Sequence, residues 1–328
     1  MKKILMSTVL CLLLTAGLFS AGQKDTGSQG TGIEYPTKSL VIINPYVAGG
    51  AADVILRKIA SLMEPKIGKP VVVMNRVGAG GQLAATEYLK EEPNTHTLIL
   101  LSRALMVTVP IIQAGTVKYS WDDFSPIIGI ENIDFILFAN KKTGITDMKS
   151  LIAYANSKQS LKYGTTGAGT DASVLQAALY GLAGIKAEPV VYGGAKEALL
   201  SAANNVVDVA VATPTAAPDL LKEGSIVPIG IFSKNPYTGF EGIRVPTLKE
   251  QGYDLDLPGL NFLAIRSGTK KEIIEKLYMV IHEVYQMPEY QEFAKTILLD
   301  INSWRPEEID AYIRSQQAVI EKFKQFLK

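Results

Sequence analysis

One cysteine, Cys11, is all the thiol this chain carries, and it falls inside the first apolar run. No disulfide can close within the chain, and no thiolate cluster can hold a metal. Histidine is nearly as scarce. His96 and His282 lie far apart with no metal-ligand spacing, so no metal site is expected. No G-x-S-x-G turn occurs, which leaves a serine hydrolase without its nucleophile elbow. There is also no G-K-[S/T] loop for a nucleoside triphosphate. A surplus of one charge is missing as well. The 33 basic and 32 acidic residues leave a net charge of +1, which excludes the basic surface that nucleic-acid binders present. Beyond the first apolar run, no segment is long and apolar enough to span a membrane.

What is present argues for an exported globular chain. Apolar residues make up 47% of the 328, enough for a full core, and the length allows two ordinary domains. Met1-Lys2-Lys3, the apolar run from Ile4 to Phe19, and Ser20-Ala21-Gly22 have the form of a secretory signal, residues 1–21. A retained anchor is the rival reading, since the run is at the short edge for a span. Cys11 sits mid-run and no cysteine follows Ala21, which excludes a lipoprotein. The mature chain is expected in the periplasm or an equivalent extracytoplasmic space. Residues 22–33, rich in Gly, Ser, Thr and Lys without apolar periodicity, read as a flexible linker.

From Tyr35 onward, strand patterns alternate with helix patterns. β-Branched runs at residues 40–43 and 71–74 each end in a glycine-rich turn and pass directly into a helix. The first helix carries Val54, Ile55, Ile59, Leu62 and Met63 on one side and ends at Gly68-Lys69-Pro70. Further strands are expected at residues 97–101, 135–139, 161–164, 189–192, 206–212, 226–232 and 262–265. Helices are expected at 82–90, 147–157, 171–182, 195–203, 269–286 and from Pro306 on, the 269–286 helix opening with a Thr269–Glu272 capping box. Residues 122–130 read as loop, and 246–258 as a connection. The strands are continuous apolar runs, as in parallel sheets covered on both faces. The fold class expected is α/β.

The turns carry the functional reading. The first is Asn44-Pro45-Tyr46-Val47-Ala48-Gly49-Gly50, the second Asn75-Arg76-Val77-Gly78-Ala79-Gly80-Gly81, the third Thr165-Thr166-Gly167-Ala168-Gly169-Thr170. Glycine permits a sharp turn and close approach of a ligand to the backbone. A helix start leaves N–H groups free and carries partial positive charge, so several starts facing one crevice make an anion site. The alternative is that each turn is only a tight strand-to-helix connection.

These turns resemble a family. Tyr35-Pro36-Thr37-Lys38 and Pro45 with Gly49-Gly50-Ala51-Ala52-Asp53 resemble the opening of the tripartite tricarboxylate transporter substrate-binding proteins, the Bug receptors. Asn75-Arg76 with Gly78-Ala79-Gly80-Gly81 resembles their second turn, and Tyr163-Gly164-Thr165 with Gly167, Gly169 and Thr170 their third. Tyr192-Gly193-Gly194-Ala195, Val207-Asp208-Val209 and Val245-Pro246-Thr247-Leu248 follow in order.

The resemblance implies a type II periplasmic binding protein, two α/β lobes with mainly parallel sheets joined by a two-segment hinge. Lobe 1 would comprise residues 34–138 and 258–328, and lobe 2 residues 139–257, with crossings near 138–142 and 255–260. It implies a receptor and not an enzyme, acting as a monomer without a cofactor. Its ligand would be a small organic carboxylate (a di- or tricarboxylate, or an amino or aromatic acid), and its partners integral-membrane transporter subunits. By resemblance Tyr46, Ala48, Gly49 and Gly50, with Gly78, Ala79, Gly80 and Gly81, meet one end of the ligand. Thr165, Thr166, Gly169, Thr170 and Ser173 hold a carboxylate from the other lobe. Tyr192, Gly193 and Thr213 line the remainder.

The chain departs from the family at Val47-Ala48, at Ser173 where a histidine is common, and at Thr213-Pro214-Thr215 where an aspartate is common. Asp171, near the third helix start, would repel an anion and favour an amino group, so an amine-bearing acid stays open.

Bland readings stand beside these. Asp53 is read as a local partner for free N–H groups, and Arg76 as a surface salt bridge before a carboxylate clamp. Thr165, Thr166 and Thr170 are pocket donors or N-caps, and Tyr163 is core or pocket wall. An exported ligand-binding protein serving a membrane sensor kinase would share the pocket. A dinucleotide enzyme is a weaker alternative: Gly167-Ala168-Gly169-Thr170-Asp171-Ala172 fits G-x-G-x-x-A, but Glu188 precedes its strand instead of ending it.

Overall fold

A computed structural model describes residues 33–326 apart from residue 168. The expected signal segment, and all of the expected linker but its last residue, lie outside the described residues. The chain first builds β1 (Leu40–Asn44), α1 (Ala51–Ile67), β2 (Val71–Asn75), α2 (Gln82–Tyr88), β3 (Thr97–Ser102), a π-helical turn (Ala104–Thr108) running into the short α3 (Val109–Ile112), and β4 (Phe124–Ile133). It then builds β5 (Ile136–Asn140), α4 (Met148–Asn156), β6 (Leu161–Thr165), α5 (Asp171–Leu182), β7 (Ala187–Val191), α6 (Ala195–Ala203), β8 (Val209–Ala212), α7 (Pro218–Lys222) and β9 (Ile226–Ile231). A small hairpin, β10 (Tyr237–Phe240) and β11 (Ile243–Val245), precedes β12 (Gly259–Arg266). Helices α8 (Lys271–Tyr285), α9 (Pro288–Thr296) and α10 (Pro306–Phe323) complete it.

Two five-stranded sheets result, ordered β2-β1-β3-β12-β4 and β7-β6-β8-β5-β9. They are the cores of two α/β lobes, the type II architecture expected. In each, three strands run parallel and the last two pairings are antiparallel. The antiparallel partners include β5 and β12, the strands on which the chain enters the second sheet and returns to the first. Both are almost wholly buried, so their apolar runs look like parallel strands although they are not. The change of sheet falls between Ile133 and Ile136, ahead of the expected crossing at 138–142. The return lies between Val245 and Gly259.

Local expectations are corrected at several points. Residues 122–130, read as loop, fall mostly in β4 (Phe124–Ile133). This strand lies at the sheet edge, where Pro126 is tolerated, and it pairs with β12 through two register shifts. Val54 is 41% exposed; α1 buries Ile55, Leu56, Ile59, Leu62 and Met63 instead. Thr269 is not a helix cap. Its hydroxyl donates to the Arg266 carbonyl, and Lys270 occupies the N-cap position of α8. The π-helical turn with α3, the β10–β11 hairpin and α9 have no counterpart in the sequence reading.

One apolar cluster runs through both lobes. It joins Ile43 and Leu101 of the first sheet to Leu137 and Val209 of the second, with Leu105 and Val107 among its members. The C-terminal helix bridges the lobes too. α10 packs on β4, and the 3₁₀ turn that follows it brings the Phe326 ring against Gly181 of α5.

Asn302 fastens α9's exit to the edge strand. Its amide donates to Asn132 (2.7 Å), its carbonyl oxygen accepts from Trp304 N–H (2.8 Å), and a Cβ on Gly129 would lie 1.9 Å from that oxygen. Gly129→Ala therefore displaces Asn302 and costs about 1–3 kcal/mol, read as a lowered melting temperature with far-UV dichroism unchanged.

Candidate functional site

The first turn is held by a network built on Asp53. Gly49 N–H donates to its Oδ2 (2.9 Å), Arg57 Nε to the same oxygen (3.0 Å), and Asn75 Nδ2 to Oδ1 (2.8 Å). Burial opposes ionisation there, but these donors hold the carboxyl well below the usual carboxylate range. Asn75 also donates to the Tyr46 carbonyl (3.1 Å), and Tyr46 N–H donates to Asn44 Oδ1 (3.2 Å). The Tyr46 phenol sits by the Ser102 hydroxyl, its pKa pushed up to about 12 by burial, with Asp171 and Glu131 adding to the rise. Ala48 stays exposed and Gly50 caps α1 through its backbone only.

The second turn follows β2, the neighbour of β1, so it lies beside the first. Ala79, Gly80 and Gly81 hold φ of 46°, 64° and 98° in succession, and Gly81 N–H closes on the Gly78 carbonyl (2.9 Å). A side chain at Gly81 would meet Pro45 at 3.2 Å and Leu105 at 3.3 Å. Arg76 pairs with Glu87 at the surface (2.8 Å), the bland alternative for that residue.

The third turn belongs to the other lobe and comes up against the first. A Cβ on Gly169 (φ 85°) would lie 3.2 Å from Val109 Cγ2 and 3.7 Å from Gln113 Nε2. Gln113 in turn accepts from Gln82, at the start of α2 (3.0 Å). The three turns thus come together where the two lobes meet, linked through α3. Within the third turn, the Thr170 hydroxyl donates to the Gly167 carbonyl (2.8 Å) and accepts from Thr166 and from Ser173 N–H. Thr170 is the N-cap of α5, which uses its hydrogen-bonding capacity locally. Thr165 is buried, and its hydroxyl has no partner.

The remaining expected residues differ in placement. Tyr192 N–H donates to the Thr165 carbonyl (2.8 Å), which sets it beside the third turn, but its hydroxyl is engaged by Ser201 of α6. Its side chain packs with the core around Ala198 and Leu199. Gly193 N–H is taken by the Glu197 carboxylate (3.0 Å), and the Thr213 hydroxyl pairs with that of Thr215 (2.7 Å). Two main-chain donors of the expected pocket, Gly49 at one end of the ligand and Gly193 in the remaining wall, therefore already carry an acid of the chain itself.

Sequence reading overlooked the most heavily buried charge at this crevice. Arg103, just past β3, has no exposed surface. Its Nη2 donates to Asp171 of α5 across the lobe boundary, and its Nη1 to Thr108 Oγ1 (3.3 Å). Burial raises the Asp171 carboxyl, and Arg103 pulls it back only in part. The available clue was a lone charge inside the apolar run from Leu98 to Val107, which must find a counter-charge wherever it is buried.

Two α/β lobes, a chain that crosses between them and returns, and glycine turns from both bordering one crevice define a two-lobed solute-binding protein. The profile of the tripartite tricarboxylate transporter family receptor matches residues 55–327, and the chain belongs to that family. It is a family of receptors and not of enzymes. The chain is 26% identical to the UPF0065 protein in the gbd 5′ region of Cupriavidus necator, covering 94% of each. It is 25% identical to BugT of Bordetella pertussis, over 86% of this chain and 84% of that protein. Among solved structures, MatC from Rhodopseudomonas palustris with bound malate superposes with a TM-score of 0.79 at 21% identity, covering 88% of this chain and 100% of that one. An R. palustris protein with adipate gives 0.80 at 22%, covering 89% and 98%. These likenesses show the shared fold.

Asp53→Ala leaves Gly49 N–H, Arg57 and Asn75 without their acceptor and costs about 2–4 kcal/mol at pH 7. Because the folded carboxyl is held low, that contribution is complete above the unfolded value of about 4 and disappears as pH falls toward the folded one. Urea melts at pH 7 and pH 3 should show the gap between wild type and variant closing in acid.

Proposed function

We propose that this chain is an extracytoplasmic solute receptor that closes two lobes over a small organic carboxylate and delivers it to the membrane subunits of a tripartite tricarboxylate transporter. Residues 1–21 direct its export. Among the described residues no helix is long and apolar enough to cross a membrane, in keeping with a receptor that works beside its membrane partners. The observation that carries the reading is the meeting of three glycine turns from two lobes at one crevice, in a member of this receptor family. Malate and adipate, named with two structures of the same fold, support a carboxylate as ligand class.

The open form admits the ligand. Contacts to both lobes then favour the closed form, because only that form satisfies both ends of the ligand. Gly80, Gly81, Thr165, Thr166 and Gly169 contribute from the two sides, with Tyr46 at the floor. Glycine at 169 matters twice: its positive φ shapes the turn, and a side chain there would strike Val109 of the facing lobe.

The test is thermal unfolding of the mature chain, from Gly22, against C4 to C6 dicarboxylates, citrate, acidic amino acids, aromatic acids and nicotinamide dinucleotide. A ligand at a hundredfold its Kd adds about 2.7 kcal/mol of stability. The expected outcome is a shift with one class of carboxylate that Gly169→Val removes. A shift with the dinucleotide alone, or an unaltered shift in the variant, overturns the reading.

A further inference from the structure

Resting on the carboxylate-receptor reading, we propose that the Arg103–Asp171 pair makes this crevice selective for a ligand bearing both a carboxylate and an ammonium group, an amino acid, over acids that lack the amine.

The pair is placed as a ligand site would require. Arg103 follows β3 of the first sheet and Asp171 opens α5 beside the second, so lobe opening must separate them. Both are withdrawn from solvent, with relative exposures of 0% and 6%. Neither is saturated. A guanidinium offers five N–H groups and a carboxylate about four acceptor positions, yet a single bond joins these two. Among the described residues, the buried Arg103 Nε has no hydrogen-bond partner. Asp171 Oδ2 packs close to Gly259, where a methyl group would come within 3.2 Å of it, so only glycine lets the strand approach the carboxylate this closely. A second unpartnered group lies nearby. Asn261 is 5% exposed; its Nδ2 donates to Glu131 Oε1 (2.6 Å), and among the described residues its Oδ1 has no partner; its strand position is paired directly with Ser102, the residue before Arg103. The crevice therefore holds a buried donor on a fixed cation and buried acceptors, one of them anionic. A molecule carrying an anion and a cation is complementary to both.

Charge balance gives the selectivity. The closed pair is neutral. A simple dicarboxylate that takes Arg103 leaves Asp171 unpaired beside two further negative charges in a dehydrated site. An amino acid exchanges like for like: its carboxylate takes Arg103, its ammonium takes Asp171, and the charge balance of that pair is kept. The starts of α1 and α6 do not relieve a bare dicarboxylate, since they are already committed to Asp53 and Glu197. Asp171 itself occupies the first turn of α5, so the partial positive charge of that helix serves a fixed carboxylate.

The experiment is titration calorimetry with matched pairs differing by one amine: succinate and L-aspartate, glutarate and L-glutamate, propionate and L-alanine. Wild type should bind the amine member of at least one pair tenfold or more tighter than its partner. Asp171→Asn should weaken that amino acid at least tenfold and improve the plain acid, narrowing or inverting the ratio. Because Asp171→Asn strands a buried cation, the doubly neutral Arg103→Gln/Asp171→Asn variant is measured as well, with its fold checked by dichroism. It should bind both members weakly and without preference. Tighter binding of the plain acid by wild type, or an unchanged ratio in both variants, overturns this inference and leaves the carboxylate receptor standing. Silence from every member of every pair overturns this inference, and the carboxylate reading is then decided by the wider panel above.

Discussion

A fully buried guanidinium has to be answered by a counter-charge, because an isolated ion in the interior costs several kcal/mol even after relaxation. Arg103 is placed by β3 at the boundary between the lobes, within an otherwise apolar segment, and among the described residues of its own lobe only the Thr108 hydroxyl answers it. Its acid comes from the first turn of a helix in the other lobe. The way the lobes meet follows in large part from this requirement. The apolar cluster through Leu105 and Val107 presses the two sheets together without direction, while the ion pair fixes where they meet.

The second theme is how this chain uses its helix starts. Glycine turns shape the entries to α1, α2, α5 and α6, as the sequence suggests. At α1, α5 and α6 an acidic residue sits within the first turn: Asp53, Asp171 and Glu197. Two of them bond back to a glycine N–H of the preceding turn, which rigidifies the loop at the expense of donors that would otherwise be free for an anion. Steric room at the crevice therefore comes from glycine, and charge from side chains buried behind it.

Much of the fold could be read in the sequence because punctuation and periodicity agree there. β1 with its glycine turn, α5 and α6 sit where local rules place them, since each is bounded by glycine, a capping hydroxyl or a change of period. β4 could not be read in this way. Pro126 and Gly129 speak for a loop, and only its edge position and the Asn302 contact explain a strand. The π-helical turn after β3 also escaped, because its run of apolar residues has no alternation and no cap. At the site, the turns were legible one by one. The Arg103–Asp171 partnership was not, since the partners are 68 residues apart and belong to different sheets. The Tyr192 hydroxyl shows the reverse case: a residue at a promising strand end whose polar group faces its own helix.

The course of α10 has a practical corollary. The helix is rooted on the first lobe, yet Phe326, close to the chain's end, is seated on Gly181 of the second. The stretch from α10 to Phe326 therefore spans the joint that must flex for a ligand to enter. A bulky fusion attached there would load the hinge itself, whereas a small fluorophore at the same end would turn lobe movement into an optical signal without touching the crevice.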